Sequence, residues 1–142
     1  MKWKYSTDIV WGGGKLVSDV QPVCYYDTGA GFNEEQKLYG EYRREGSWYT
    51  FDISVPADAR LIRIDPVLMG GRCVAFTQIK VNNQEIEYSA YNMAIVDEKK
   101  MLIKKYPYIV FRNDMENTHF KISIDLQNLT VEELEKYFQK IN

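Results

Sequence analysis

At 142 residues the chain is long enough for one domain that buries roughly two thirds of the surface its unfolded form would expose. Its 18 basic and 20 acidic residues are interspersed and leave a net charge of −2, too small to argue for a surface dedicated to nucleic acid or to an anionic membrane. No apolar run approaches the ~20 residues of a membrane span, and the N-terminus MKWKYSTDIVW lacks the apolar stretch of a secretory signal. The expectation is a cytoplasmic protein with no direct membrane insertion, or a piece of a longer polypeptide. The 11 tyrosines against 6 phenylalanines matter because tyrosine suits both strands and wet recognition surfaces, where a flat apolar ring carries a polar tip.

Trp3, Tyr5, Ile9 and Trp11 share one strand phase and predict a first strand or strand pair ending at Gly12-Gly13-Gly14. Lys15 is followed by Leu16 and Val17, so the spacing of a phosphate-binding loop fails. Val20 to Tyr26 is a further apolar run, with Pro22 pointing to an edge position. The loop Asp27-Thr28-Gly29-Ala30-Gly31-Phe32-Asn33-Glu34 does not have EF-hand spacing; it reads as a turn whose glycines take positive φ and whose Asp caps the backbone. A looser cation site using Asp27, Asn33 or Glu34 is the less favoured alternative. Gln36 to Arg44 fits either a short strand or one helical turn.

The stretch from Ser47 to Ile86 organises the chain as consecutive strands. Tyr49, Phe51, Ile53 and Val55 alternate with Trp48, Thr50, Asp52 and Ser54, so Trp48 falls opposite the buried face. Ile62 and Ile64 resume the pattern with Arg63 and Asp65 on the other face, and Pro66 is expected to stop it. After a Gly70-Gly71 turn, Val74 and Phe76 share one phase while Ile79 and Val81 share the other, a slip that predicts a β-bulge near Thr77-Gln78. Asn82-Asn83 is a two-residue hairpin turn, since Asn tolerates positive φ.

Beyond the hairpin, Tyr91, Met93 and Ile95 keep period two, and Asp97 to Lys100 reads as an exposed turn. Strands follow on both sides of Pro107, and Phe120, Ile122, Ile124 and Leu126 form the cleanest half-buried strand. Thr130 with Glu133 is a capping box, and Val131, Leu134, Phe138 and Ile141 lie along one helical face. These elements predict an all-β, antiparallel, jelly-roll-like sandwich of eight to ten strands over residues 1–128, closed by one amphipathic helix over 129–142. The helix either packs on the sandwich or begins a connection to a further domain.

Little here points to catalysis. Cys24 and Cys73 fit two buried thiols or one bridge and, with one histidine, cannot form a zinc cluster. His119 lies on a predicted solvent face with no partner visible in the sequence. The carboxylates Asp27, Asp52, Asp65 and Glu87 would suit glycoside hydrolysis only if the fold brought two of them to the required separation. No cofactor and no metal is implied, and a small glycan-processing enzyme is the weakest of three readings. Sugar sites instead pair aromatic rings with hydrogen-bonding side chains, and Tyr26, Asp27, Trp48, Arg63 and Asp65 supply both. Such a shallow site would bind at about millimolar strength, useful as one of several contacts.

Three segments, Tyr26 to Glu34, Ile62-Arg63-Ile64-Asp65-Pro66, and Phe111 with Ile122-Ser123-Ile124, resemble accessory β-sandwich modules of bacterial glycosyltransferases. Those modules accompany catalytic domains in surface-polysaccharide and rhamnan synthesis, and the likeness spans about Val23 to Leu126. Where the family pattern carries acidic residues before the proline of its late strand, this chain has Lys105-Tyr106-Pro107, so no polar site is carried over to that strand. The resemblance implies a non-catalytic module that holds a glycan ligand or positions a glycosyltransferase domain in the same polypeptide. The alternative is a structural or protein-docking sandwich that uses its helix and aromatic face and binds no glycan.

Overall fold

The computed structural model describes residues 20–68, 74–102, 106–114 and 116–141. The predicted strand at Lys2–Trp11, the glycines and Lys15 after it, the Gly70-Gly71 turn and Cys73 all lie outside the described residues.

Two antiparallel sheets face one another across an apolar core. One has five strands in the order β2 (Lys37–Tyr39), β1 (Val20–Asp27), β5 (Leu61–Leu68), β11 (Tyr108–Arg112) and β8 (Ser89–Tyr91). The other runs β3 (Arg43–Glu45), β4 (Trp48–Ser54), β12 (His119–Asn128), β6 (Val74–Val81), β10 (Lys99–Met101) and β9 (Ala94–Val96), with β7 (Gln84–Glu85) paired to β6 as its seventh strand. Among the described residues a short 3₁₀ turn at Glu34–Gln36 and one helix, α1 (Val131–Ile141), accompany the sheets. Several of the twelve strands among the described residues are only two or three residues long, which is why the sequence pattern suggests fewer.

Tyr49, Phe51 and Ile53 of β4 meet Ile124, Ile122 and Phe120 of β12, all buried. Cys24, Ile64 and Ile109 meet them from the other sheet. Each such side chain, fully buried, contributes about 1.5–3 kcal/mol. Gly40 lies where the chain leaves β2 for the opposite sheet. A Cβ there would sit 2.9 Å from the Phe51 ring, so the close crossing requires glycine.

Three turns follow their residue chemistry. Asn82 and Asn83 both have positive φ (52° and 67°) between the paired Val81 and Gln84. Asp97 and Glu98 do the same between Val96 and Lys99, so Lys99 and Lys100 belong to β10 rather than to the turn. Asp27 caps its turn, with Gly29 and Gly31 at positive φ. The expected bulge is present: Asp125 faces Gln78 and Leu126 faces Phe76, leaving Thr77 over.

Four further expectations are corrected. Pro66 does not end its strand; β5 runs through it, with Pro66 opposite Pro22. The Pro22 carbonyl accepts from Gly40, so Pro22 turns its own backbone groups away from β5 and the rung needs no N–H from either proline. Nor is Pro22 on an edge, because β1 has neighbours on both sides. Ile95 is exposed while Ala94 and Val96 are buried, since the turn register places Ala94 against Met101, on the side that α1 covers. Finally, α1 docks through Tyr137 with the ion pairs Lys99–Glu133 and Lys136–Asp97, leaving Val131 and Phe138 exposed. The docked arc thus combines Tyr137 with Glu133 and Lys136 instead of following the purely apolar positions.

Cys24 is a free, buried thiol. Burial pushes its pKa far up, so it stays neutral and unreactive.

Candidate functional site

Strand alternation divides β1 and β5 between core and surface. Cys24, Ile62 and Ile64 turn inward, so Tyr25, Arg63 and Asp65 turn outward. The register then carries this outer face across the sheet. Tyr25 lies between Lys37 of β2 and Arg63 of β5, and Tyr108 of β11 lies beside Tyr91 of β8.

The side chains close into one row. The Arg63 guanidinium carbon is 3.9 Å from the Tyr108 ring centre and 5.0 Å from that of Tyr25. Tyr108 stacks on Tyr91 at 4.8 Å with 19° between planes. At the other end the Lys37 ammonium lies 5.7 Å from the Tyr25 ring and 5.4 Å from that of Tyr39. Tyr39 and Tyr91 keep the most open rings of the row, 62% and 45% exposed.

Carboxylates lock the cations in place. Arg63 Nε and Nη2 donate to the two Asp65 oxygens at 2.7 and 3.0 Å, a bidentate pair. Asp65 holds the guanidinium more firmly protonated than usual. Glu34 accepts from Lys37 at 3.2 Å and from the Tyr25 hydroxyl at 3.0 Å, which lowers its pKa. Lys37 is correspondingly raised, by the Tyr39 hydroxyl and then Glu34. Burial and the bond to Glu34 raise the Tyr25 phenol, so it remains a donor.

Of the residues singled out from sequence, Arg63 and Asp65 sit at the centre of this row. Asp27 is on the same outer face, two residues along β1 from Tyr25, with Oδ1 accepting from the amides of Gly29 and Gly31 at 2.7 and 2.8 Å. Tyr26 turns the other way and packs against the core. Trp48 lies on the outer face of the seven-stranded sheet, half-buried with the Lys80 ammonium 5.2 Å from its ring. The five residues therefore do not form one site. Sequence patterning does not single out Tyr25, Lys37, Tyr39, Tyr91 or Tyr108; the strand phase of Tyr25 and Arg63 is the one available signal, and β11 and β8 join them only through long-range pairing.

At the end of the same face, Asp27, Leu61 and Arg112 share a row and open onto a cleft of about 800 Å³. Asn113 braces it, buried, with Nδ2 donating to the carbonyls of Ala59 and Asn117 and Oδ1 accepting from the Asn117 amide. A smaller recess of about 340 Å³ adjoins through Arg112, Asn113 and Asp114. Among the described residues, no three His, Cys, Asp or Glu side chains are grouped to hold a metal ion, and no helix is long and apolar enough to cross a membrane. His119 is exposed beside Asp52, 3.5 Å away.

No protein-family model, curated protein or solved structure matches the chain.

Proposed function

We propose that this domain is a non-catalytic carbohydrate-binding module that seats a glycan across the outer face of its five-stranded sheet, as an accessory to a glycosyltransferase domain. The observation that carries the reading is the unbroken row from Tyr39 and Lys37 through Tyr25 and Arg63 to Tyr108 and Tyr91, which reaches all five strands. Its side chains are already ordered by stacking and ion pairing, so little rotamer freedom is left to lose on binding. Tyr39 and Tyr91 offer ring faces for sugar C–H surfaces, while Arg63, Asp65 and the phenols offer hydrogen bonds to hydroxyls. The strand order supports the jelly-roll-like description. Successive long strands alternate between the sheets, β1 and β5 and β11 in one, β4 and β6 and β12 in the other, as interlocked Greek keys require.

A flat face of this kind gives affinity near millimolar, about −4 kcal/mol, sufficient for one contact among several along a polymer. Calorimetric titration with oligosaccharides tests it. Tyr91→Ala is expected to weaken binding about tenfold and Trp48→Ala to leave it unchanged, because stacking contacts are worth about 1 kcal/mol or more. Binding that depends on Trp48 and ignores Tyr91 contradicts the proposal.

One observation favours a second reading, a protein-docking surface. Arg63 occupies a face of both Tyr25 and Tyr108, so the middle of the row presents edges and polar tips, the Tyr and Arg chemistry common at protein interfaces. Pull-down of a protein partner that needs Arg63, with no oligosaccharide bound, would favour that reading.

A further inference from the structure

We infer that the ligand of this face is an uncharged glycan, and that the carboxylates of the face set this specificity by cancelling each cation in place. The inference rests on the carbohydrate-binding reading and names its ligand class. Every cation that the described strands of this sheet turn outward has its own acid within 3.2 Å: Lys37 with Glu34, Arg63 with Asp65, and Arg112 with Asp114. Each acid is two or three positions away in the chain, so the pairing is built into the strands and turns. Asp27 adds a fourth carboxylate, turned into the Gly29 and Gly31 amides. Among the described residues, the strands of this face therefore carry no surplus positive charge. A uronate or phosphate would have to displace a resident carboxylate and would meet its repulsion.

A neutral sugar faces no such cost. Asp65 engages Nε and Nη2 of Arg63, leaving the Nη1 hydrogens beside carboxylate lone pairs. Donor and acceptor then lie side by side, matched to two adjacent hydroxyls that each give one hydrogen bond and take another. At about 4.8 Å per strand the five-stranded face is about 19 Å wide, room for a run of about four pyranose rings between Tyr39 and Tyr91.

A glycan array with neutral and uronate-containing chains, followed by titration of the hits, tests this. Neutral tetrasaccharides are expected to bind at least about tenfold more tightly than uronate tetrasaccharides of the same length, with less than about twofold change between ~50 and ~500 mM salt. Affinity should rise from disaccharide to tetrasaccharide and then level off. Asp65→Asn, which uncovers Arg63, should shift the preference toward the uronate chains; Asp114→Asn does the same for Arg112 at an exposed position where folding is not at stake. Tighter binding of uronate chains by the unaltered protein, or an unchanged preference in both variants, overturns the inference while leaving a glycan-binding face in place. An array with no binder of either charge overturns both.

Discussion

The outer faces of the two sheets share a fold and a residue vocabulary, yet they are organised differently. On the five-stranded sheet, rings and cations alternate from Tyr39 to Tyr108, on which Tyr91 stacks directly, and each cation is held by a neighbouring acid. On the seven-stranded sheet, α1 covers the β9–β10 side, Trp48 sits alone under Lys80, and Asp52 is shared between Arg43 and His119. Between them lies Asp125, a buried carboxylate at the bulge whose Oδ2 accepts from Thr77 at 2.6 Å and from Gln127 at 3.0 Å. Polar groups on that face serve the strand and the helix dock. On the other face they remain available to a ligand.

The largest expected effect comes from Arg63→Ala. It separates the two aromatic halves of the row and strips Asp65, only 18% exposed, of its partner. Oligosaccharide affinity should fall at least about tenfold, and chemical denaturation should show a loss of about 1–3 kcal/mol from the stranded carboxylate. Trp48→Ala, made on the opposite face, should leave the affinity unchanged; equal losses from the two would erase the distinction between the faces.

Thr77→Val tests the structural role assigned to the seven-stranded face. Losing the hydroxyl that donates to Asp125 should cost about 1–3 kcal/mol with glycan affinity intact, because the buried carboxylate loses a donor. A drop in affinity at unchanged stability would contradict that assignment.

The helix dock should respond more weakly. Thr130 and Glu133 cap each other, the Thr130 amide donating to Glu133 at 2.9 Å and the Glu133 amide to Thr130 Oγ1 at 3.1 Å. Thr130→Ala should cost about 1 kcal/mol. Lys99, then Thr130, hold the Glu133 carboxyl below its ordinary value of 4.5. A depressed folded-state pKa contributes stability that is complete above that ordinary value and lost as pH falls through the lower one. Acidification below about pH 4.5 should therefore loosen α1, seen as faster amide exchange over Val131–Ile141. Unchanged exchange down to pH 3 would show that Tyr137 packing alone holds the helix.

Most of the fold was legible because it rests on local rules. Period-two alternation located β4 and β12, Asn82-Asn83 fixed a hairpin, the phase slip at Thr77 marked the bulge, and Thr130 with Glu133 marked the helix start. Pro66 misled because a proline reads as a stop unless its rung partner is known, and that partner, Pro22, is 44 positions away. The site was only partly legible for the same reason. Arg63 and Asp65 announce themselves by their phase within one strand, but Tyr108 and Tyr91 join them through pairings that no local pattern encodes. The candidate set includes Tyr26 and not its neighbour Tyr25, a one-residue difference that in a strand exchanges core for surface. Alternation puts Trp48 off the core face but cannot say to which of two sheets an outward side chain belongs.

Amide chemical-shift mapping during titration with a neutral tetrasaccharide puts the central claim to its most direct test. The account predicts shifts concentrated at Lys37, Tyr25, Arg63, Tyr108 and Tyr91, with Trp48 and Lys80 unmoved. Shifts centred on Trp48 and Lys80, or none at millimolar ligand, would contradict it.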